Sequence, residues 1–298
     1  MPIAPVNGLQ ICYESFGQGP TVVLIMGIGS QMILWDTEFC RALADRGRRV
    51  VRFDHRDIGL SSKLDHLGVP NLGPMVARAL VGASVTAPYT LSDMAADVVG
   101  LLDHLGVESA HIVGASMGGM IAQHLAIEAP ARVRTLTSIM STPGGRRHLL
   151  GVQGTALSAF LGKRPTTKEQ GVEFLVGLYR VLHAGGYPFP EARMRARAAE
   201  VIERAWSPAG FPRHLAAILA SGDRSEALRN VRAPTLVMHG ELDPLVPIAA
   251  GRATAALIPG ARFVPIPKMG HFLPVEVWGT LVDAIATHTS GDTAAVPA

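Results

Sequence analysis

The chain has 298 residues, 48% of them hydrophobic and 17% charged, enough apolar side chain for one large core and too little charge for a disordered chain. Its net charge of +3 is small for this length and its arginines are scattered, which argues against a nucleic-acid groove. The longest apolar run falls far short of the roughly 20 residues of a membrane-spanning helix. The first residues lack a basic leader followed by an apolar segment, so a cytoplasmic location is expected. Residues 3 to 6 and 9 to 14 read as strands around Asn7-Gly8, a hairpin turn. Residues 21 to 25 and 49 to 53 are apolar runs of strand length, separated by a helical pattern over 37 to 46. Cys12 and Cys40 sit in no Cys-x-x-Cys pair and are expected to be buried, unreactive thiols.

Residues 67 to 89, rich in proline and glycine, read as an irregular excursion. The apolar spacing over 91 to 105 fits an amphipathic helix ended by Gly106. A strand over 110 to 113, a helix over 117 to 129 stopped by Pro130, and a strand over 135 to 139 follow. No strand run appears from Ser141 to about Asn230, where several helical patterns are separated by glycine and proline. Arg193, Arg195 and Arg197 fall here, and their spacing of two suggests a solvated helix. Strands over 235 to 239 and 262 to 266, with a helix over 248 to 257 between them, complete the pattern. Alternating strands and helices predict an α/β fold with a mainly parallel central sheet covered on both faces. The expected layout is a core over 1–141 and 230–290, a helical cap inserted over 142–229, and a flexible tail over 291–298.

Gly114-Ala115-Ser116-Met117-Gly118 fits G-x-S-x-G, in which a strand turns sharply into a helix and exposes a serine. In a chain with 32 glycines the five letters carry little weight alone, but here they end a predicted strand and open a predicted helix. The competing reading is a glycine-softened turn with a serine N-cap. As a nucleophile Ser116 needs a base and an orienting acid. Asp243 and His271 lie in loops that follow predicted strands, where open parallel sheets gather their sites, and in the chain order that suits this elbow. Glu241 is the competing acid, and a late histidine could be an ordinary loop residue. His104, His111, His124 and His239 fall on predicted helices or strands and read as structural. The segment "IMGIGS" follows its strand with Gly27 and Gly29, so the backbone amides of Ile28 and Met117 are the candidate oxyanion hole. The dinucleotide, phosphate-loop and H-E-x-x-H patterns are absent, and no cofactor or metal is implied.

The stretches "MGIGSQMILW", "VVRFDHRDIGLSS", "HIVGASMGGMIAQ", "APTLVMHGELDPLVP" and "KMGHFLP" resemble the α/β-hydrolase fold, and within it esterases of the aclacinomycin methylesterase type. The resemblance implies Ser116, Asp243 and His271 as a catalytic triad and an oxyanion contribution from the residue after Gly27. It makes residues 54 to 61 a structural turn, with no catalytic role for Asp54 or Arg56. Many relatives have histidine where this chain has Met26. The implied activity is a serine carboxylesterase acting on a small-molecule ester, with no nucleic-acid partner and no membrane span; the oligomeric state is not specified. The same three residues would also suit a lactone, an amide, a carbon–carbon bond or peracid formation, and a hydrolase-fold protein that binds without turnover is the alternative of another class. Phe174, Tyr179, Tyr187, Phe189, Trp206 and Phe211 suggest an apolar pocket, or the packing of cap helices against one another.

Overall fold

The computed structural model describes residues 1–149, 152–162 and 165–291. The chain opens with β1 (Ile3–Val6) and β2 (Leu9–Phe16), paired antiparallel through a turn in which Asn7 has φ 50° and Gly8 φ 78°. Positive φ at both positions matches the right-handed twist of the flanking strands. Then come β3 (Thr21–Ile25), α1 (Thr37–Ala44), β4 (Arg49–Phe53), α2 (Leu72–Leu80), α3 (Leu91–His104), β5 (Ala110–Ala115), α4 (Met117–Glu128) and β6 (Val133–Ile139). Among the described residues six helices are inserted before the next strand: α5 (Arg146–Leu149), α6 (Gly154–Leu161), α7 (Lys168–His183), α8 (Glu191–Arg204), α9 (Gly210–Ser221) and α10 (Ser225–Leu228). The chain then returns through β7 (Thr235–Gly240), α11 (Ile248–Leu257), β8 (Arg262–Ile266) and α12 (Trp278–Thr289).

The eight strands of the described residues form one sheet in the order β1-β2-β4-β3-β5-β6-β7-β8. β2 meets both neighbours antiparallel, and every pair from β4 to β8 is parallel. Strands covered on both faces must be apolar throughout, and β3, β5 and β7 are buried at every position. Alternate residues supply the two faces. Val23 and Ile25 pack with Leu91, Leu101 and Leu125 of α3 and α4, while Val22 and Leu24 pack with Phe39, Leu43 and Leu281 of α1 and α12. Thr90 and Asp93 form a reciprocal capping box at the start of α3, and Gly106, at φ 64°, turns the chain away at its end.

The inserted helices are tied to the sheet by buried charge. Arg213 of α9, with no exposed side-chain surface, donates to both oxygens of Asp57 at 2.7 and 2.8 Å, and the Tyr89 hydroxyl donates to the same carboxylate at 2.7 Å. Arg204 of α8 reaches Asp54 at 2.7 Å and the side-chain Oε1 of Gln31 at 2.7 Å. These contacts give residues 54 to 61 a structural use, as a socket for the insertion.

Two expectations change. The excursion over 67 to 89 contains α2, because Pro74 falls in that helix's first turn, where the missing N–H costs no intrahelical bond. The arginines of α8 are not simply solvated: Arg193 and Arg197, four apart and so on one face, both reach Asp36, at 3.0 and 2.5 Å, while Arg195 pairs with Glu173 of α7. Cys12 and Cys40 are buried free thiols, with Cys40 pushed up to about 12 by burial. Among the described residues no helix is long and apolar enough to cross a membrane. From residue 292 onward the expected tail lies outside the described residues.

Candidate active site

Ser116 occupies the turn between β5 and α4 with φ 55° and ψ −121°, a backbone conformation that L-residues avoid. Its amide donates to Ile139 at 2.9 Å, and its carbonyl accepts from the Ser141 hydroxyl at 2.8 Å. The turn is possible only because the backbones around it touch. A Cβ on Gly114 would lie 2.1 Å from the Gly118 oxygen, and one on Gly118 would lie 2.0 Å from the Ile25 oxygen. The side chain of Ser116 makes no N-cap hydrogen bond to α4, so its hydroxyl is left for other work.

That hydroxyl lies 2.9 Å from His271 Nε2, and His271 Nδ1 lies 2.7 Å from Asp243 Oδ2. A carboxylate only accepts, so Nδ1 carries the hydrogen. Nε2 is then the lone-pair nitrogen facing the Ser116 O–H. Asp243 Oδ1 accepts from the amides of Leu245 and Val246 at 2.9 and 2.8 Å, which closes the tight turn after β7. Burial pushes the Asp243 carboxyl up, but His271, His239 and the hydrogen bonds outweigh it and hold the carboxyl at about 2. The His271 backbone amide donates to Leu182 of α7 at 2.8 Å, so the inserted helices also seat the loop after β8.

The turn after β3 passes close by. A Cβ on Gly27 would sit 3.3 Å from Ser116 Cβ, a tight contact that shows how closely this backbone passes the hydroxyl. Among the described residues no backbone hydrogen bond takes the amide of Ile28 or that of Met117. Met117 opens α4, so its N–H is one of the orphan donors at the positive end of a helix. A cavity of about 210 Å³ spans the gap, with Ile28, Ser116 and His271 among its walls. Met140, Leu178, Trp206 and Phe272 help to make the rest of the lining apolar. Phe174, Tyr179 and Phe211 also line it. Tyr187 instead donates to the Pro267 carbonyl at 3.2 Å, and Phe189 packs on His183, so these two are packing residues.

Thus the structure brings Ser116, Asp243 and His271 into one hydrogen-bonded line, while Glu241 takes no part in it. Of the four histidines read as structural, His111 bonds Thr135 at 2.9 Å and His124 bonds Glu128 at 2.7 Å, and neither lines the cavity. His104 packs edge-on against Tyr13. His239 is nearer the chemistry than its strand position suggested, with Nε2 3.4 Å from Asp243 Oδ2. Ser141 was also missed. No local motif marks either residue. Ser141 acts through Ser116, which lies 25 residues away at the end of another strand; His239 stands only four residues before Asp243, but it is the fold of the turn after β7 that brings its ring back onto the acid.

The chain belongs to the α/β hydrolase fold family, which matches residues 20–276. It is 30% identical to rhodomycin D methylesterase DnrP of Streptomyces peucetius, across 98% of this chain and all of that protein. It is 28% identical to pimeloyl-[acyl-carrier protein] methyl ester esterase of Vibrio parahaemolyticus, across 87% of this chain and 90% of that protein. Among solved structures, the enol-lactonase of Burkholderia xenovorans LB400 superposes with a TM-score of 0.73 at 24% identity, covering 97% of this chain and all of that one.

Proposed function

We propose that the protein is a serine carboxylesterase in which Ser116, His271 and Asp243 form the catalytic triad. The observation that carries this reading is the unbroken line from hydroxyl to imidazole to buried carboxylate, opening on an apolar cavity. Ser116 Oγ attacks the ester carbonyl carbon as its proton passes to His271 Nε2. The carbonyl oxygen becomes an oxyanion held by the amides of Ile28 and Met117. The intermediate collapses, the C–O bond to the alcohol breaks, and His271 returns its proton to the leaving oxygen. Water then gives a proton to Nε2 and attacks the acyl-enzyme, releasing the carboxylic acid and restoring Ser116. Asp243 holds the imidazole tautomer and stabilises its cationic form throughout.

The apolar walls suit a neutral, apolar acyl group, and the likeness to two methyl ester esterases supports a small alcohol as the leaving group. The substrate is then a small-molecule ester handled without a nucleic-acid or membrane-embedded partner, in the cytoplasm. The helices over 142–229 act as a cap that selects it.

A fluorophosphonate probe tests the reading. It is expected to label the protein one to one at Ser116, and Ser116→Ala is expected to lose both the label and p-nitrophenyl butyrate hydrolysis, the latter by on the order of 10³ or more. Turnover near the wild-type rate in that variant would refute it.

A further inference from the structure

We propose that His214, from a helix of the insertion, is the positioning residue of the oxyanion loop, and that it sets the direction of the Ile28 N–H through its hold on the next peptide. The proposal rests on the reading of Ile28 as an oxyanion donor.

The Ile28 N–H belongs to the peptide joining residues 27 and 28. On one side, the Met26 carbonyl lies 2.9 Å from His55 Nε2. On the other, the Gly29 amide donates to His214 Nδ1 at 3.2 Å. His214 Nε2 lies 2.9 Å from the Arg56 carbonyl. A carbonyl accepts only, so Nε2 carries the hydrogen and Nδ1 keeps the lone pair that Gly29 needs; one neutral tautomer satisfies both contacts. The His214 ring is fully buried and stands edge-on to His55, with centroids 5.7 Å apart. Burial, together with the neighbouring His55, pulls its pKa down to about 3, which keeps the acceptor unprotonated at neutral pH.

The loop is anchored at its far end, where Gln31 donates to the Val201 and Ala205 carbonyls and the Met32 amide donates to Asp54, but between Gly27 and Ser30 the other holds are local and long, among them the Ser30 hydroxyl on the Ile28 carbonyl at 3.2 Å. Gly27 and Gly29 permit many backbone conformations, and the Met26 side chain brings no hydrogen-bonding group strong enough to brace a peptide. The turn inside the loop, Ser30 N–H to the Gly27 carbonyl, is long at 3.3 Å. Gly29 itself sits at φ +64°, and a Cβ there would lie 2.8 Å from the Phe211 ring, so α9 meets the loop by contact as well as by hydrogen bond. Arg213, the residue before His214, is locked to Asp57, and this fixes the acceptor against the sheet. The inserted helices therefore complete the site instead of merely roofing it.

Three variants separate the two ring nitrogens. Asn places an acceptor near the position of Nδ1, Gln places a donor near that of Nε2, and Phe keeps the ring without either. His214→Phe and His214→Gln are expected to lower kcat for p-nitrophenyl butyrate by about 10- to 100-fold with KM within about twofold, because a misaimed donor costs transition-state stabilisation alone. An alkyl boronic acid, whose tetrahedral adduct on Ser116 puts an oxygen in the oxyanion position, is expected to weaken by a similar factor. His214→Asn is expected to recover most of both losses. Amide hydrogen exchange at Gly29 is expected to speed up at least about tenfold in His214→Phe. Should that variant fail to fold, the contrast between Gln and Asn carries the comparison. If the wild type turns over the ester but Phe and Gln variants keep kcat and boronate affinity, the proposal is overturned. If the wild type neither hydrolyses the ester nor binds the boronate, the esterase reading fails instead. The oxyanion role falls with it, and the exchange measurement then tests only the hold of His214 on the Gly29 amide, which unchanged protection would overturn.

Discussion

His239 stands behind the Asp243 carboxylate, its Nε2 3.4 Å from Oδ2, the oxygen that accepts from His271. The same nitrogen lies 2.8 Å from the Val246 carbonyl, so it carries the hydrogen and shares it between the loop backbone and the acid. A Cβ on Gly251 of α11 would lie 2.3 Å from the other ring nitrogen, which shows how tightly the ring is held. His239→Phe keeps the shape and loses the donor. It is expected to lower kcat by about 3- to 10-fold with little change in KM, and to cost about 1–2 kcal/mol of stability. Steady-state kinetics and urea denaturation check both. Unchanged kcat would mean that the amides of Leu245 and Val246 position Asp243 unaided.

The backbone at Ser116 is strained, and the strain can be measured apart from the chemistry. At φ 55° and ψ −121°, any residue with a Cβ is held in a region that costs of order 1–3 kcal/mol. Ser116→Gly removes that cost and Ser116→Ala does not, though glycine adds unfolded-state entropy that offsets part of the gain. The glycine variant is expected to be about 1 kcal/mol more stable than the alanine variant by urea denaturation, both being inactive. Equal stability would mean the turn is relaxed.

Removing Arg213 strands a buried acid. Asp57 holds its charge in a buried socket, with Arg213 on both oxygens and Tyr89 on one. Burial pushes its carboxyl up, but the bonds from Arg213, Tyr89 and the Leu64 amide together hold it below the usual carboxylate range. Arg213→Met is expected to destabilise the protein by about 3–5 kcal/mol, the cost of an uncompensated buried charge. Arg213→Lys is expected to recover only part of this, since an ammonium cannot match the two-pronged geometry. Thermal denaturation of both variants is the check.

Stability is expected to fall on mild acidification. Burial pulls His111 down to about 4 and His214 down to about 3, against about 6.5 in the unfolded chain. The unfolded state takes up these protons first, so the contribution to stability is full above pH 6.5 and is lost as pH falls below it. For two such histidines the loss between pH 6.5 and 5.5 is about 2 kcal/mol. Burial also pulls down His55, His124, His183 and His288, which acts in the same direction. Urea denaturation at the two pH values tests it, and a flat profile would contradict neutral burial of these rings.

The strand, elbow and helix around Ser116 were legible because each signal is local. An apolar run of strand length, glycines where two backbones touch, and a helix stopped before Pro130 all act through neighbours in the chain. The loops of Asp243 and His271 were legible for the same reason, since each follows a recognisable strand. α2 was missed because proline was read as a breaker, when its meaning depends on which helical turn it occupies. Arg193 and Arg197 of α8 were misjudged because their shared partner Asp36 lies more than 150 residues away.

The sequence by itself determined the alternation of strands and helices, the sharp turn that carries Ser116, and the pool of residues that can do chemistry, because backbone preference and hydrophobic period are properties of short segments. Only the tertiary structure decided which groups meet. Ser116 and His271 are 155 positions apart, Gly29 and His214 are 185, and a hydrogen bond across such a span depends on how sheet and inserted helices pack, not on any spacing in the chain.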